Sequence, residues 1–309
     1  RWRIQNIRTE SGADIYVTYN DADCDAGDLP AVENNNRLCY PVYWTPDGYF
    51  DPTRDWFRKY VVREITTYER TADQPPVTTR YAYSNEGSNA NVLWGWDDGE
   101  FTKKKHRTYG QWRGYSQVTT RVGQTDTGKV LTTRKRFFRG LDDQPLPDDK
   151  TRSVQVTDAA GNSYADHPAL AGSALEEAQL DGDTVVESKS TAYVVTQTGA
   201  RARTGGSDRA YRVAPSVQKN RKQIASGVWR QTETRTDYDP EGNVEWTSEL
   251  GDTGKGGDES CTRFTYVGND DPWLRGLVSR EEKVDKACSE TVSRPADIIS
   301  DTKNYYDKY

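Results

Sequence analysis

The sequence predicts an all-β protein built from successive antiparallel hairpins, and three observations carry that prediction. Apolar or aromatic residues alternate with polar ones over many short stretches, clusters of Gly, Pro, Asn and Asp separate them, and long helical periodicity is absent. Only 33% of the 309 residues belong to the AVILMFWYC set and mean hydropathy is -0.97, so a thick aliphatic core is excluded. The 9 Trp and 19 Tyr favour half-buried sheet surfaces instead, and they separate this polar chain from a disordered one.

Taken in order, residues 2–19 give two short strands around Glu10-Ser11-Gly12, and 21–37 is a polar loop. CYPVYW at 39–44 is a strand, TPDGYFDPTRDW a turn-rich connection, and 59–70 a long strand that Pro75-Pro76 separates from its hairpin partner at 78–84. Residues 85–107 form a glycine- and acid-rich excursion apart from LWGW at 93–96. A meander follows at 113–122, 129–140 and 151–158, with GQTDTG and DDQPLPDD as its turns. HPALAGSALEEAQL, 167–180, has helical composition with Asp166 as cap and Pro168 in the first turn, so one short helix is expected there. Strands resume at 191–197, 200–213, 227–238, 243–250, 261–267, 277–284 and 302–309. The whole reads as one β-rich segment, 1–309, with sub-blocks 1–84, 85–158 and 159–309.

The formal net charge of -6 mixes 42 basic with 48 acidic residues, which argues against nucleic acid or an anionic membrane as partner. Lys103, Lys104, Lys105, His106 and Arg107 make the one compact basic run and read as a solvated loop. No apolar run approaches the ~20 residues of a membrane helix. With no Met and a start at Arg1, the chain reads as a piece of a longer protein.

Four cysteines stand at 24, 39, 261 and 288, without the spacing of a zinc site. Three pairings are open, and free thiols are the rival. Cys24 with Cys39 and Cys261 with Cys288 would each staple a Gly-, Asp- and Asn-rich loop, at about 3 kcal/mol apiece, and would imply a secreted or cell-surface home.

TDYDPEGNVEWTSE, 236–249, is the clearest hairpin. Asp239, Pro240 and Gly242 occupy the first, second and fourth places of a type I turn. The phrase Tyr238-Asp239-x-x-Gly242-Asn243 returns as Tyr306-Asp307 at the chain end. It is degraded in TDAAGN, with Asp158, Gly161 and Asn162 but Thr157 for Tyr, and in YSNEGS, with Tyr83 and Gly87 but no Asp. Together with CYPVYW, DWFRKYVV, YGQWRGYSQV, KRFFRGLDD, VTDAAGNSYADHPALAG and PADIISDTKNYYDKY, this resembles the large extracellular Rhs/YD-repeat proteins of Gram-positive soil bacteria over nearly the whole chain.

The resemblance implies a β-ribbon of hairpins spiralling into a hollow shell, with the Tyr stacking on neighbouring repeats and the Asp and Gly making the turn. It also implies a shell that encloses or presents a C-terminal toxin or effector segment, so that adjoining repeats and that segment are the partners. The family's self-cleaving core segment, with its paired aspartates, has no match here, and self-proteolysis is carried over to no residue.

Chemistry has few places to stand. With His106 and His167 as the only histidines, triads and His/Cys metal sites are poorly supplied, and no cofactor or metal is assigned. Asp142, Asp143, Asp148 and Asp149 have the oxygen ligands of a calcium loop, but Pro145 and Pro147 interrupt it. Asp97, Asp98 and Glu100 beside Trp94 and Trp96 would suit a sugar platform with acids nearby. The leading reading is a structural shell section without catalysis. The alternatives are a carbohydrate-binding or adhesion module that meets cell-surface glycan through Trp94, Trp96 and Trp112, and a glycosidase-like carboxylate enzyme.

Overall fold

The computed structural model describes residues 2–70, 74–86, 91–123, 128–203, 206–269 and 274–307. Its strands pair almost in chain order. The first hairpin joins β1 (Asn6–Arg8) to β2 (Asp14–Tyr19) around Glu10-Ser11-Gly12. The chain then leaves to build a separate two-stranded sheet, β3 (Cys39–Trp44) with β4 (Thr53–Arg58), before β5 (Val62–Tyr68) returns to pair with β2 and then with β6 (Val77–Ser84). A second excursion carries β7 (Trp94–Gly95) and β8 (Gln111–Trp112), after which β9 (Gln117–Gly123) pairs with β6 and β10 (Val130–Phe137). The third carries β11 (Gln155–Thr157) and β12 (Ser163–Ala165), and β13 (Ala174–Asp181) closes it against β10.

A plain meander follows: β14 (Thr184–Arg203), β15 (Gly206–Ala225), β16 (Val228–Tyr238), β17 (Val244–Asp252), β18 (Ser260–Asn269), β19 (Leu274–Val284) and β20 (Ile298–Lys303). Fourteen strands share one antiparallel sheet, in the order β1-β2-β5-β6-β9-β10-β13 and then β14 to β20, and the other six make three small sheets. The protein is all-β, as its alternation predicts.

Two compact units divide the chain, 1–185 and 186–309. In the first, the core belongs to the excursions rather than to the main sheet. Leu38, Leu93, Trp94 and Tyr109 are buried together, with Tyr40, Trp96, Trp112 and Tyr115 packed on them, and Val92, Leu141 and Val154 form a second cluster. The second unit has little core: Cys261, Val284 and Ala287 are buried beside a disulfide, and most other buried positions are polar, such as Ser188, Glu233 and Ser248. Residues 196–202 are exposed at successive positions, so both faces of that ribbon meet solvent. Such strands need no aliphatic interior, which accounts for the low hydropathy.

The expected helix at 167–180 is not formed. Pro168–Leu170 is a single 3-10 turn, and from Ala174 the chain is strand β13, with Arg136 opposite Glu176 and Arg134 opposite Ala178. Pairing overrides helix propensity here because it buries Leu175 and Ala178 and places the Glu176 carboxylate, 2% exposed, on the buried Arg136 guanidinium. The long strand expected at 59–70 starts at Val62, since 53–58 is already a strand of another sheet.

Candidate functional site

The turn at Asp239 is made as its residues predict. The Asp239 amide donates to the Asn243 carbonyl at 2.9 Å and the Gly242 amide to the Asp239 carbonyl at 3.0 Å, giving a type I turn followed by a bulged glycine at φ 99°. The Asp239 carboxylate accepts from the Gly242 and Asn243 amides at 2.7 and 2.8 Å and from Asn243 Nδ2 at 2.9 Å. Partial burial works to raise its pKa, but these bonds outweigh burial and hold it below the usual carboxylate range.

The degraded phrase keeps the same turn. Asp158 Oδ1 accepts from the Ala160 and Asn162 amides, both at 2.9 Å, Asn162 Nδ2 reaches Asp158 Oδ2 at 2.9 Å, and Gly161 lies at φ 91°. A third copy, which the Tyr-Asp phrase does not reveal, sits in the first hairpin. There Thr9 replaces the aspartate, its hydroxyl accepts from the Ala13 amide at 3.0 Å, and Gly12 lies at φ 88°. Its sequence signal is the glycine three residues after a side chain that can accept from the backbone.

The tyrosines also bond across strands, and Tyr83 makes ring contacts with Tyr81 and Tyr115 besides. The Tyr238 hydroxyl on β16 donates to the Pro215 carbonyl of β15 at 2.8 Å. Tyr266 does the same to Val244 at 2.8 Å, Tyr83 to Val62 at 2.6 Å, Tyr306 to Val278 at 2.8 Å and Tyr19 to Ile4 at 2.9 Å. In each case the hydroxyl reaches back to a carbonyl of the preceding strand or of its flank, latching successive strands together. Burial raises the pKa of Tyr83, Tyr238 and Tyr266, so these hydroxyls keep the proton they donate. Asp307, beside Tyr306, borders an apolar groove with Val267, Leu274 and Leu277. Gly87 of the YSNEGS phrase lies outside the described residues.

No protein-family model, curated protein or solved structure matches the chain. Geometry therefore has to speak for itself.

Of the three tryptophans proposed for sugar, Trp94 is buried, and Trp96 and Trp112 are half-buried and packed on its cluster. Trp94 is 2% exposed, stacked on Tyr40 at 4.2 Å between ring centres, edge-on to Trp112 at 4.9 Å, and its indole N–H donates to the Arg37 carbonyl at 2.8 Å. Trp96 packs edge-on to Tyr109 at 5.1 Å. These rings pack with Leu38 and Leu93 into one cluster, where their faces and edges meet one another and those of Tyr40 and Tyr109.

Polar groups then join the excursions. Asp166, fully buried, accepts from the amides of Arg139, Gly140 and Leu141 at 2.6, 2.8 and 3.1 Å. Arg139, 2% exposed, donates to the carbonyls of Val92 and Gly114, and burial pulls its pKa down to about 10. Gly140 at φ 67° has no room for a Cβ, which would stand 2.9 Å from the Pro168 carbonyl. The sequence offers Asp166 as a helix cap and Arg139 within KRFFRGLDD, but not the long-range bonds that each makes.

The remaining candidates are placed as scaffold. Asp97 accepts from the Gly99 amide at 3.0 Å and the Thr102 hydroxyl at 3.4 Å. Asp142 accepts from the Val154 amide at 2.8 Å, and no group of three or more metal-ligating side chains occurs among the described residues. His167 Nδ1 accepts from the Ala169 amide at 3.0 Å. The carboxylates with shifted titration, Asp14, Asp208, Asp239, Glu282 and Asp301, are all held low by hydrogen bonds, the opposite of what a general acid needs.

Both disulfides close within their end regions, Cys24 with Cys39 and Cys261 with Cys288. No helix among the described residues is long and apolar enough to cross a membrane.

Proposed function

We propose that this chain is a section of an Rhs/YD-repeat wall, a structural element of a secreted protein that encloses or presents a C-terminal effector segment. The observation that carries the reading is the recurrence of two devices that meet at Tyr238-Asp239: a turn closed by an Asp or Thr side chain, at Thr9, Asp158 and Asp239, and a tyrosine hydroxyl bonded to the preceding strand or its flank, at Tyr19, Tyr83, Tyr238, Tyr266 and Tyr306. Devices spread along the chain in this way serve the pairing of successive strands, whereas chemistry would ask for convergence at one place. The two disulfides fit an oxidising, extracellular setting.

The test is limited proteolysis of the full-length secreted protein. A C-terminal segment cut only after the wall is opened by reductant and mild denaturant supports enclosure. Cleavage of that segment at the same rate in native and opened protein, or a native chain with no attached segment, would overturn it.

A further inference from the structure

We infer that the cleft between the β3–β4 hairpin and the loop 97–108 is a binding site for an acidic saccharide, a glycan carrying hexuronate units. The cleft measures about 400 Å³, and its aromatic and cationic lining includes Tyr43, Phe101, Lys103 and His106. It is a different place from the tryptophan cluster, and the inference holds independently of the wall reading.

The loop is built, not slack. The Asp97 amide donates to the Thr108 carbonyl at 2.9 Å and closes its base, while Arg107 donates from Nε to the Thr102 carbonyl at 3.0 Å and from Nη2 to the Gly99 carbonyl at 3.1 Å. Arg107 is thereby spent on the loop itself. Lys103, Lys104 and Lys105 remain exposed on it, and the His106 ring stacks on Tyr43 at 5.1 Å with 28° between planes. Gly110 brings the returning strand close to β3, where a Cβ would lie 2.9 Å from the Pro41 carbonyl.

Phe101 is 97% exposed, and Tyr49 and Phe50, in the turn of the β3–β4 hairpin, are exposed as well. An exposed ring beside cations offers one apolar face and adjacent charge, the pairing that a pyranose with a carboxylate presents in return. Asp97, the one carboxylate in the lining, has both oxygens engaged within the loop. The exposed ring selects among anions: a phosphate has no apolar face to lay on Phe101, whereas a hexuronate offers a pyranose face together with its carboxylate.

The experiment is isothermal titration of the chain with tri-galacturonate at low salt, with maltotriose as the neutral counterpart and inorganic triphosphate as the rival anion. Expected are saturable binding of the acidic trimer, about tenfold weaker binding of maltotriose, and a loss of about tenfold on Phe101→Ala and on Lys103→Glu, with affinity falling as salt rises. Both substitutions are at exposed positions, and an unchanged unfolding curve certifies the fold. No heat with tri-galacturonate, equal affinity for maltotriose, tighter binding of triphosphate, or full affinity in both variants would each overturn the assignment.

Discussion

Arg212 lies across the turn at Asp239, donating from Nη2 to its carbonyl at 3.2 Å and from Nη1 to the Pro240 carbonyl at 3.0 Å. The turn of one hairpin is thus held by the strand of the hairpin before it. The same guanidinium occupies the space that a side chain at Gly242 would need, since a Cβ there would stand 2.6 Å from Arg212 Nη1. With φ at 99° as well, Gly242→Ala should cost about 1–2 kcal/mol in urea unfolding. In an Arg212→Ala background the cost should shrink but not vanish, because the backbone strain remains.

Asp239 and Asp158 fill the same role in two turns, so their removal should have similar effects. Asp239→Ala and Asp158→Ala are each expected to lower stability by about 1 kcal/mol, the usual consequence of taking an acceptor from backbone amides at such a cap. A neutral Asp158→Ala would show that the degraded phrase is an accident of sequence.

The tyrosine latches make a prediction that separates hydroxyl from ring. Tyr238→Phe keeps the packing and removes the bond to Pro215, and should cost about 1 kcal/mol, as should Tyr266→Phe at Val244. If both phenylalanine variants match the wild type in chemical denaturation, the rings alone hold the strands.

Acid should weaken the second unit at Glu282 and Asp301. The hydrogen bond from Arg294 chiefly holds Glu282 low, and that from Arg280 holds Asp301 low. A folded pKa below the unfolded value means stabilisation that is present above the ordinary values, 4.5 and 3.8, and is lost as pH falls through the lower folded values. Urea midpoints measured from pH 6 to 3 should therefore fall below about pH 4.5, and Glu282→Gln should flatten that fall.

The bridge between Cys261 and Cys288 spans 27 residues and anchors the sparse core of its unit. Replacing both with serine should cost about 3.5 kcal/mol by loop entropy. Calorimetry of the oxidised double-serine variant reads this directly, and an unchanged midpoint would mean the strands hold without the staple.

Much of the fold was legible because it is local. Glycine three residues after an aspartate makes the same turn at 158 and 239 whatever surrounds it, since the carboxylate, the two amides and the left-handed glycine all lie within five residues. Alternation likewise marked most strands of the main sheet. The candidate site was less legible. LWGW and its neighbouring acids look like a sugar platform as letters, yet Trp94 is core, and the exposed ring is Phe101 a few residues on.

By itself the sequence determined an all-β chain, the positions of its tight turns and a set of cysteines able to pair within each end region, because backbone sterics and short hydrogen bonds decide these within a few residues. Only the tertiary structure decided that 174–181 is strand, that the first two excursions leave the sheet to share an aromatic core and the third packs on Val92 of the second, and that tyrosines bond across strands. Those outcomes depend on partners far along the chain, as Glu176 on Arg136 and Trp94 on Tyr40. Helix and strand propensities differ by less than the energy such partners contribute.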